Sequence, residues 1–177
     1  MIFTYETARK LIQNGDIVFI RNKHGILPWI IRLFTSSRYS HVGIAFWVTV
    51  EHTKRLMIAE TQGGSNRRIL NLSYYLSSEM DIIKAPVPWG DYFEIALHKL
   101  GEIKYGWLEA GYIGLRELCI KRLNIRLPIK KFHGEICSEY VANMLISKLP
   151  YLETGVSPQG LFEQICPNND PYIMIRK

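Results

Sequence analysis

The sequence predicts an α+β fold, with strands in the first half of the chain and helices in the second. Short strand-like segments fill the first half of the chain, and longer helical patterns fill the second half. With 177 residues and 47% hydrophobic content, the chain can bury one sizeable core. Nothing in the sequence marks a boundary, so we expect one domain over residues 1–177.

Turn-forming residues divide the first half into short elements. Thr4 is the expected cap of a helix that Asn14 and Gly15 end, and a buried strand should follow over 16–20. Residues 26–34 are too apolar for an ordinary loop, and we expect a helix there that packs in the core or faces a substrate or membrane. Further strands are expected over 40–50, 56–61, 67–72 and 81–85, with a short helix over 73–78.

The second half reads as a series of helices. Helical patterns cover 91–103, 107–123 and 135–147, and a loop containing Pro128 precedes the last of these. Ser157 and Pro158 form a typical cap and first turn for a helix that ends near residue 165. Residues 172–175 are expected to form a closing strand.

The strand over 40–50 carries a histidine on its less apolar face. Alternation places His41 and Ala45 on one side and Val42 and Ile44 on the other. If the following turn is centred between residues 52 and 53, Glu60 pairs with Ala45. Glu60 then lies on the same face of the sheet as His41, but two residue pairs further along the strand. Direct contact between His41 and Glu60 would then require a bulge or an asymmetric loop.

Cys137 lies where a helix is expected to begin, and a helix N-terminus stabilises a thiolate. A nucleophilic cysteine also needs a base, for which His41 is the first candidate, and Glu60 could orient the imidazole. His133 is the rival base because only three residues separate it from Cys137. The alternative is that Cys137 is a small buried apolar residue, as most unpaired cysteines are.

Composition excludes several other classes of protein. Cys119, Cys137 and Cys166 show no CxxC spacing, so we expect neither a disulfide framework nor a metal site, and no cofactor. The sparse cysteines also favour a reducing compartment. The net charge is +6, and the chain has one cluster of basic residues. This cluster is either a solvated surface or a contact for an anionic substrate or a peripheral membrane surface. No motif supports nucleic-acid binding. The cluster consists of Lys121, Arg122, Arg126, Lys130 and Lys131.

The first fourteen residues lack the pattern of a signal peptide, and the apolar stretch 107–123 is interrupted by charges. We therefore expect a soluble cytoplasmic protein.

Five short motifs occur in an order that resembles one known family. They are a Gly-Asp pair followed by an apolar run (15–20), SHVGI (40–44), a strand ending in Ala59-Glu60, CSEYV (137–141) and SPxxL (157–161). Together they resemble the circularly permuted NlpC/P60 group of papain-like cysteine hydrolases, which includes YiiX-like bacterial proteins and a poxvirus branch. The resemblance spans about residues 15–161 but does not explain 89–134, and it leaves a phage or viral origin open.

The resemblance implies a papain-like core in circular permutation, with an antiparallel sheet or small barrel packed on the nucleophile helix. It also implies Cys137 as nucleophile, His41 as base and Glu60 as the polar orienter. It implies hydrolysis or transfer at an amide or ester bond, on lipid-like acyl groups or on cell-wall peptides. The apolar segment 26–34 and the basic cluster favour a lipid-like substrate slightly. A binding module that uses the same fold without catalysis is the alternative.

Overall fold

The computed structural model describes residues 1–21, 37–62, 66–91, 100–102, 105–128, 134–168 and 170–176. The helix expected over 26–34 lies outside the described residues, as does most of the helix expected over 91–103. Within the described part of the chain, no helix combines the length and the apolar character needed to cross a membrane.

The described residues form a mixed α+β structure around one seven-stranded sheet. The strand order is β1-β7-β6-β2-β3-β4-β5, and every neighbouring pair is antiparallel except β1 and β7. The sheet is open, with β1 and β5 at its two edges, so the alternative of a closed small barrel is wrong for the described strands. The strands are β1 (Ile2–Phe3), β2 (Ile17–Arg21), β3 (His41–Val50), β4 (Thr53–Thr61), β5 (Arg67–Asn71), β6 (Glu79–Ile83) and β7 (Ile173–Ile175).

Among the described residues, four α-helices accompany the sheet: α1 (Tyr5–Ala8), α2 (Trp107–Leu118), α3 (Cys137–Leu145) and α4 (Pro158–Ile165). A π-helical turn (Cys119–Leu123) continues α2, and short 3-10 helices cover Leu72–Tyr75 and Trp89–Asp91. Two predicted caps are confirmed, since the Thr4 and Ser157 hydroxyls accept the N–H groups of Thr7 and Gly160. The first helix is shorter than expected and ends at Ala8 instead of near Asn14.

Apolar clusters cover both faces of the sheet, as the alternation in β3 predicts. Val42, Ile44 and Phe46 belong to the cluster that includes residues of α3 and α4. Ala45 belongs to the other cluster, with residues of β2, β4 and β6 and of the first 3-10 helix. Because both faces of the sheet are covered, the central strands have few polar side chains. The ionisable side chains on these strands are therefore candidates for a functional site.

The turn between β3 and β4 corrects the predicted register. Val50 pairs with Thr53, so only Glu51 and His52 form the turn, and both have positive φ angles, of 45° and 63°. Two consecutive left-handed residues make the tight turn that fits the twist of a hairpin. Ile44 therefore pairs with Ala59, and the same register brings Glu60 opposite Gly43 instead of Ala45. Glu60 thus lies one residue pair closer to His41 on that face than the sequence predicted.

Candidate active site

The β3–β4 hairpin brings a histidine and a carboxylate into direct contact. His41 opens β3 and Glu60 lies next to the end of β4, so both occupy the same end of the hairpin. The Nε2 atom of His41 lies 2.8 Å from Oε2 of Glu60, and both side chains are buried. No bulge is needed for this contact, because the shorter turn shifts the register toward it.

Two further side chains hold the Glu60 carboxylate. The Tyr75 hydroxyl donates to Oε2 at 2.8 Å, and Nε of Arg68 donates to Oε1 at 2.8 Å. Burial raises the pKa of Glu60, but the charge and hydrogen bond of His41, together with Tyr75 and Arg68, lower it below its ordinary value overall. Glu60 is therefore held as an anion.

The sequence analysis missed both of these partners. Arg68 pairs directly with Glu60 across β4 and β5. The glycines at 63 and 64 between the two predicted strands indicate a hairpin, so the sequence contained the signal. Tyr75 lies on a 3-10 helix beyond β5, and no periodicity in the sequence connects it with Glu60.

Cys137 is the first residue of α3, as predicted from the sequence. Ile136 caps the helix with extended backbone, and its N–H donates to Oε2 of Glu139 at 3.3 Å. The Ser138 hydroxyl donates to the carbonyl of Val156 at 2.6 Å, which fixes the first turn against the segment before α4. Cys137 is 4% exposed, so its sulfur lies in a sheltered position at the positive end of the helix.

An ion pair anchors the chain just before Cys137. The guanidinium of Arg67 donates to both carboxylate oxygens of Glu135, each at 2.8 Å. Asn143 and Thr61 also donate to this carboxylate, at 3.1 and 3.4 Å. Because Thr61 and Arg67 belong to the sheet, these contacts tie the start of α3 to β4 and β5.

Cys137 lies close enough to His41 to contribute to the raised pKa of the imidazole. Since Nε2 of His41 faces Glu60, Nδ1 is the ring nitrogen left for the thiol. Burial lowers the pKa of His41, but the charges of Glu60 and Cys137 and hydrogen bonds to both outweigh it and raise the pKa to about 10. The imidazole is therefore held in its charged form at neutral pH.

A cleft of about 320 Å³, partly open to solvent, lies beside Cys137. Its walls are mostly apolar, with hydroxyl groups from three positions. Burial, together with the nearby charges of Cys137 and Glu139, raises the pKa of Tyr105, so this phenol stays protonated and can donate a hydrogen bond. The other residues that line the cleft with Cys137 and Tyr105 are Ser40, Ala110, Ile113, Ile136, Ser157 and Pro158.

The other candidates have weaker positions. Cys119 and Cys166 are free and only partly buried, and His52 lies in the β3–β4 turn. His133, the rival base, lies outside the described residues, as do Lys130 and Lys131 of the basic cluster. No group of three or more His, Cys, Asp or Glu side chains suited to hold a metal ion occurs among the described residues.

Comparison with known proteins gives matches among solved structures. No family model and no curated protein matches the chain. Among solved structures, the chain is similar to the crystal structure of the metalloprotein YiiX from Escherichia coli O157:H7, with 18% identity and a TM-score of 0.48. The match covers 85% of this chain and 92% of that chain. This similarity concerns the course of the backbone and assigns no activity to the chain.

Proposed function

We propose that this protein is a thiol hydrolase or acyltransferase that acts on an amide or ester bond, with Cys137 as nucleophile, His41 as proton carrier and Glu60 as the orienting group. One observation carries the proposal: a sheltered cysteine at a helix N-terminus, beside a partly open cleft, lies close enough to raise the pKa of a histidine that a buried carboxylate holds. The order of motifs, which resembles permuted NlpC/P60 hydrolases, agrees with these roles.

The first half of the reaction forms an acyl enzyme. With the proton on His41, the Cys137 sulfur attacks the carbonyl carbon, and the carbonyl oxygen gains negative charge. The N–H groups of the first turn of α3 are suited to stabilise that oxygen. The bond to the leaving amine or alcohol then breaks, and His41 gives its proton to the leaving group.

The second half releases the acyl group. A water molecule, or an acceptor alcohol or amine, attacks the thioester while His41 takes its proton. The carboxylic acid or new acyl product leaves, and the charged Cys137–His41 pair is restored. Glu60 accepts from Nε2 of His41 throughout, which keeps Nδ1 directed at the sulfur.

The cleft favours an acyl substrate over a polar peptide. The side chains of Ala110, Ile113 and Ile136 offer no hydrogen bonds, and hydroxyl groups stand at only three positions of the lining, whereas a cell-wall peptide presents many polar groups that need partners. We therefore propose a lipid-like amide or ester as the first substrate class. Side-by-side assays with a fatty-acyl ester, a fatty-acyl amide and muropeptides test this choice, and cleavage of muropeptides alone would contradict it.

Labelling of the thiols tests the chemistry without a known substrate. At pH 7, iodoacetamide should modify Cys137 at least tenfold faster than Cys119 or Cys166, because a thiolate reacts and a thiol does not. The His41→Ala change should remove most of this advantage. Cys119→Ala and Cys166→Ala are the matched controls and should leave the fast phase intact.

Two results would contradict the catalytic roles. Equal labelling of the three cysteines would leave the alternative, a binding module without a reactive thiol. Full activity of a Cys137→Ala variant on a verified substrate would show that another group is the nucleophile.

A further inference from the structure

The helix that lines the cleft leaves its outer side unusually apolar. Leu108 is 74% exposed and Leu115 is 49% exposed, and Trp107 is half exposed. Solvent-exposed helix positions normally carry polar side chains, so several large apolar groups on one helix call for a physical explanation. The exposed apolar residues of α2 and of the segment after it are Trp107, Leu108, Leu115, Leu123 and Ile125.

Trp107, Leu108 and Leu115 form a strip along one side of α2. Residues 107, 111 and 115 follow at intervals of four, and Leu108 precedes Leu115 by seven, so all lie on the same side of the helix. Position 111 is an exposed glycine, which leaves the strip without a protruding side chain there. Ile113 is buried and, with Ala110, lines the cleft from the opposite side of α2.

Two arginines lie in the segment that follows α2. Arg122 and Arg126 are exposed and flank Leu123 and Ile125 in the chain. Neither guanidinium forms an ion pair with a carboxylate of the described residues. Exposed leucine and tryptophan beside arginine is the composition of helices that lie in the headgroup layer of a membrane.

We propose that this surface, the α2 face (Trp107, Leu108, Leu115, Leu123, Ile125, Arg122 and Arg126), docks on an anionic lipid bilayer. Anionic headgroups match the two arginines, and the apolar side chains enter the boundary between headgroups and acyl chains. A protein partner would have to place carboxylates opposite both arginines, whereas an anionic bilayer presents negative charge across its whole surface. The docking surface goes beyond the proposed function and does not rest on it.

Docking would also set the position of the cleft. Because α2 carries the α2 face on one side and cleft residues on the other, the cleft lies one helix diameter or about 10 Å from the bilayer. An acyl group attached to a lipid could then reach Cys137 without leaving the membrane region entirely.

Vesicle flotation tests the docking directly. The full chain should float with vesicles of phosphatidylcholine containing phosphatidylglycerol and bind about tenfold less to phosphatidylcholine alone. Leu108→Glu combined with Leu115→Glu should lower binding to anionic vesicles by about tenfold or more, because two apolar contacts are lost and two negative charges gained. Arg122→Gln combined with Arg126→Gln should lower it by about fivefold for each arginine.

Matched controls separate docking from folding and from catalysis. Leu76 is 49% exposed, like Leu115, but lies outside the α2 face, so Leu76→Glu should float as the unmodified chain does. Cys137→Ala should also float normally, so failure of the chemistry leaves this result unchanged. Trp107→Phe should keep flotation but remove most of the blue shift in tryptophan fluorescence that accompanies binding.

Three outcomes would overturn the proposal. The first is no flotation of the unmodified chain with anionic vesicles at low salt. The second is a fluorescence shift of full size in Trp107→Phe, which would locate the contact elsewhere. The third is a stable dimer in sedimentation experiments that Leu108→Glu abolishes, which would make the α2 face a contact between two copies.

Discussion

Glu60 is the residue on which the candidate site depends most. Its carboxylate has no exposed surface, yet it is charged, and a buried charge is tolerated only when partners replace the lost water. His41, Arg68 and Tyr75 supply those partners from three different elements. The orientation of the His41 ring is therefore determined by a network and not by one contact.

Tyr75→Phe tests this network at the scale of one hydroxyl. The change removes the donor to Oε2 of Glu60 and keeps the ring, so we expect Cys137 labelling at pH 7 to slow by about three- to tenfold. Glu60→Gln should slow it further but leave a fraction, since an amide still accepts a hydrogen bond. Tyr74→Phe, on the exposed neighbouring tyrosine, is the control and should have no effect. An unchanged rate in Tyr75→Phe would show that the hydroxyl does not position the site.

The raised pKa of His41 predicts how stability varies with pH. The folded-state pKa of about 10 lies above the ordinary value of 6.5, so the charged imidazole stabilises the fold fully below pH 6.5. That contribution is lost as the pH rises toward and through 10. The free energy of unfolding should therefore fall more steeply between pH 7 and 10 in the unmodified chain than in His41→Gln. Parallel curves from urea titrations would contradict the charged state of His41.

At the scale of elements, the position of α3 depends on Glu135. This carboxylate lies two residues before Cys137, and Arg67 binds it with two hydrogen bonds from β5. Both side chains are largely buried, so the pair differs from an ordinary surface salt bridge. Cys137 is thus held in place by the same two strands that position Glu60 and Arg68.

Glu135→Gln tests this anchor with little change in shape. Arg67 would keep a neutral partner but lose its countercharge, and we expect the free energy of unfolding to fall by about 2–4 kcal/mol. Labelling of Cys137 should slow as well, because the start of α3 is no longer fixed. Glu6→Gln is the control, since Glu6 pairs with Arg9 only on the surface at 4.0 Å and its change should cost less than about 0.5 kcal/mol. Equal costs for the two variants would refute the anchor.

Strands, caps and the start of α3 were predictable because local signals determine them. Alternation identified β3, and the Ser157-Pro158 pair identified the start of α4. The β3–β4 register was not predictable, because it depends on whether Glu51 and His52 adopt left-handed backbone, which neither residue type favours strongly. Tyr75 and Glu135 could not be assigned either, since their partners are separated in the chain and meet only through tertiary packing.

At the scale of the whole molecule, the buried carboxylate of Asp81 connects strands of the sheet away from the site. Asp81 on β6 accepts three hydrogen-bond donors. Nε of Arg21 on β2 lies at 3.0 Å and the Tyr39 hydroxyl at 2.5 Å, and the guanidinium of Arg176 after β7 is the third donor. Burial raises the pKa of Asp81, but hydrogen bonds from Tyr39, Arg21 and Arg176 lower it overall. Its stabilising effect is therefore present above the ordinary carboxyl pKa and is lost as the pH falls.

Asp81→Asn should destabilise the whole fold without altering the chemistry of the thiol. Two arginines would lose their countercharge, so we expect the free energy of unfolding to fall by about 3–5 kcal/mol. In folded protein, Cys137 should still be labelled at its normal rate. Asp170→Asn, an exposed aspartate near β7, should change neither quantity. A melting temperature of Asp81→Asn equal to that of the unmodified chain would contradict this role for Asp81.

The strand order has a consequence for synthesis. Because β7 lies between β1 and β6, the first strand has no neighbour until almost the last described residues have left the ribosome. During synthesis His41 and Glu60 emerge early, Cys137 much later, and β7 later still. The residues of the site are therefore made before the sheet that positions them can be completed. A nascent or truncated chain that lacks β7 therefore exposes the edge of β6 and leaves Ile2 and Phe3 unpaired. Loss of three residues at β7 would damage this protein more than loss of a comparable surface loop.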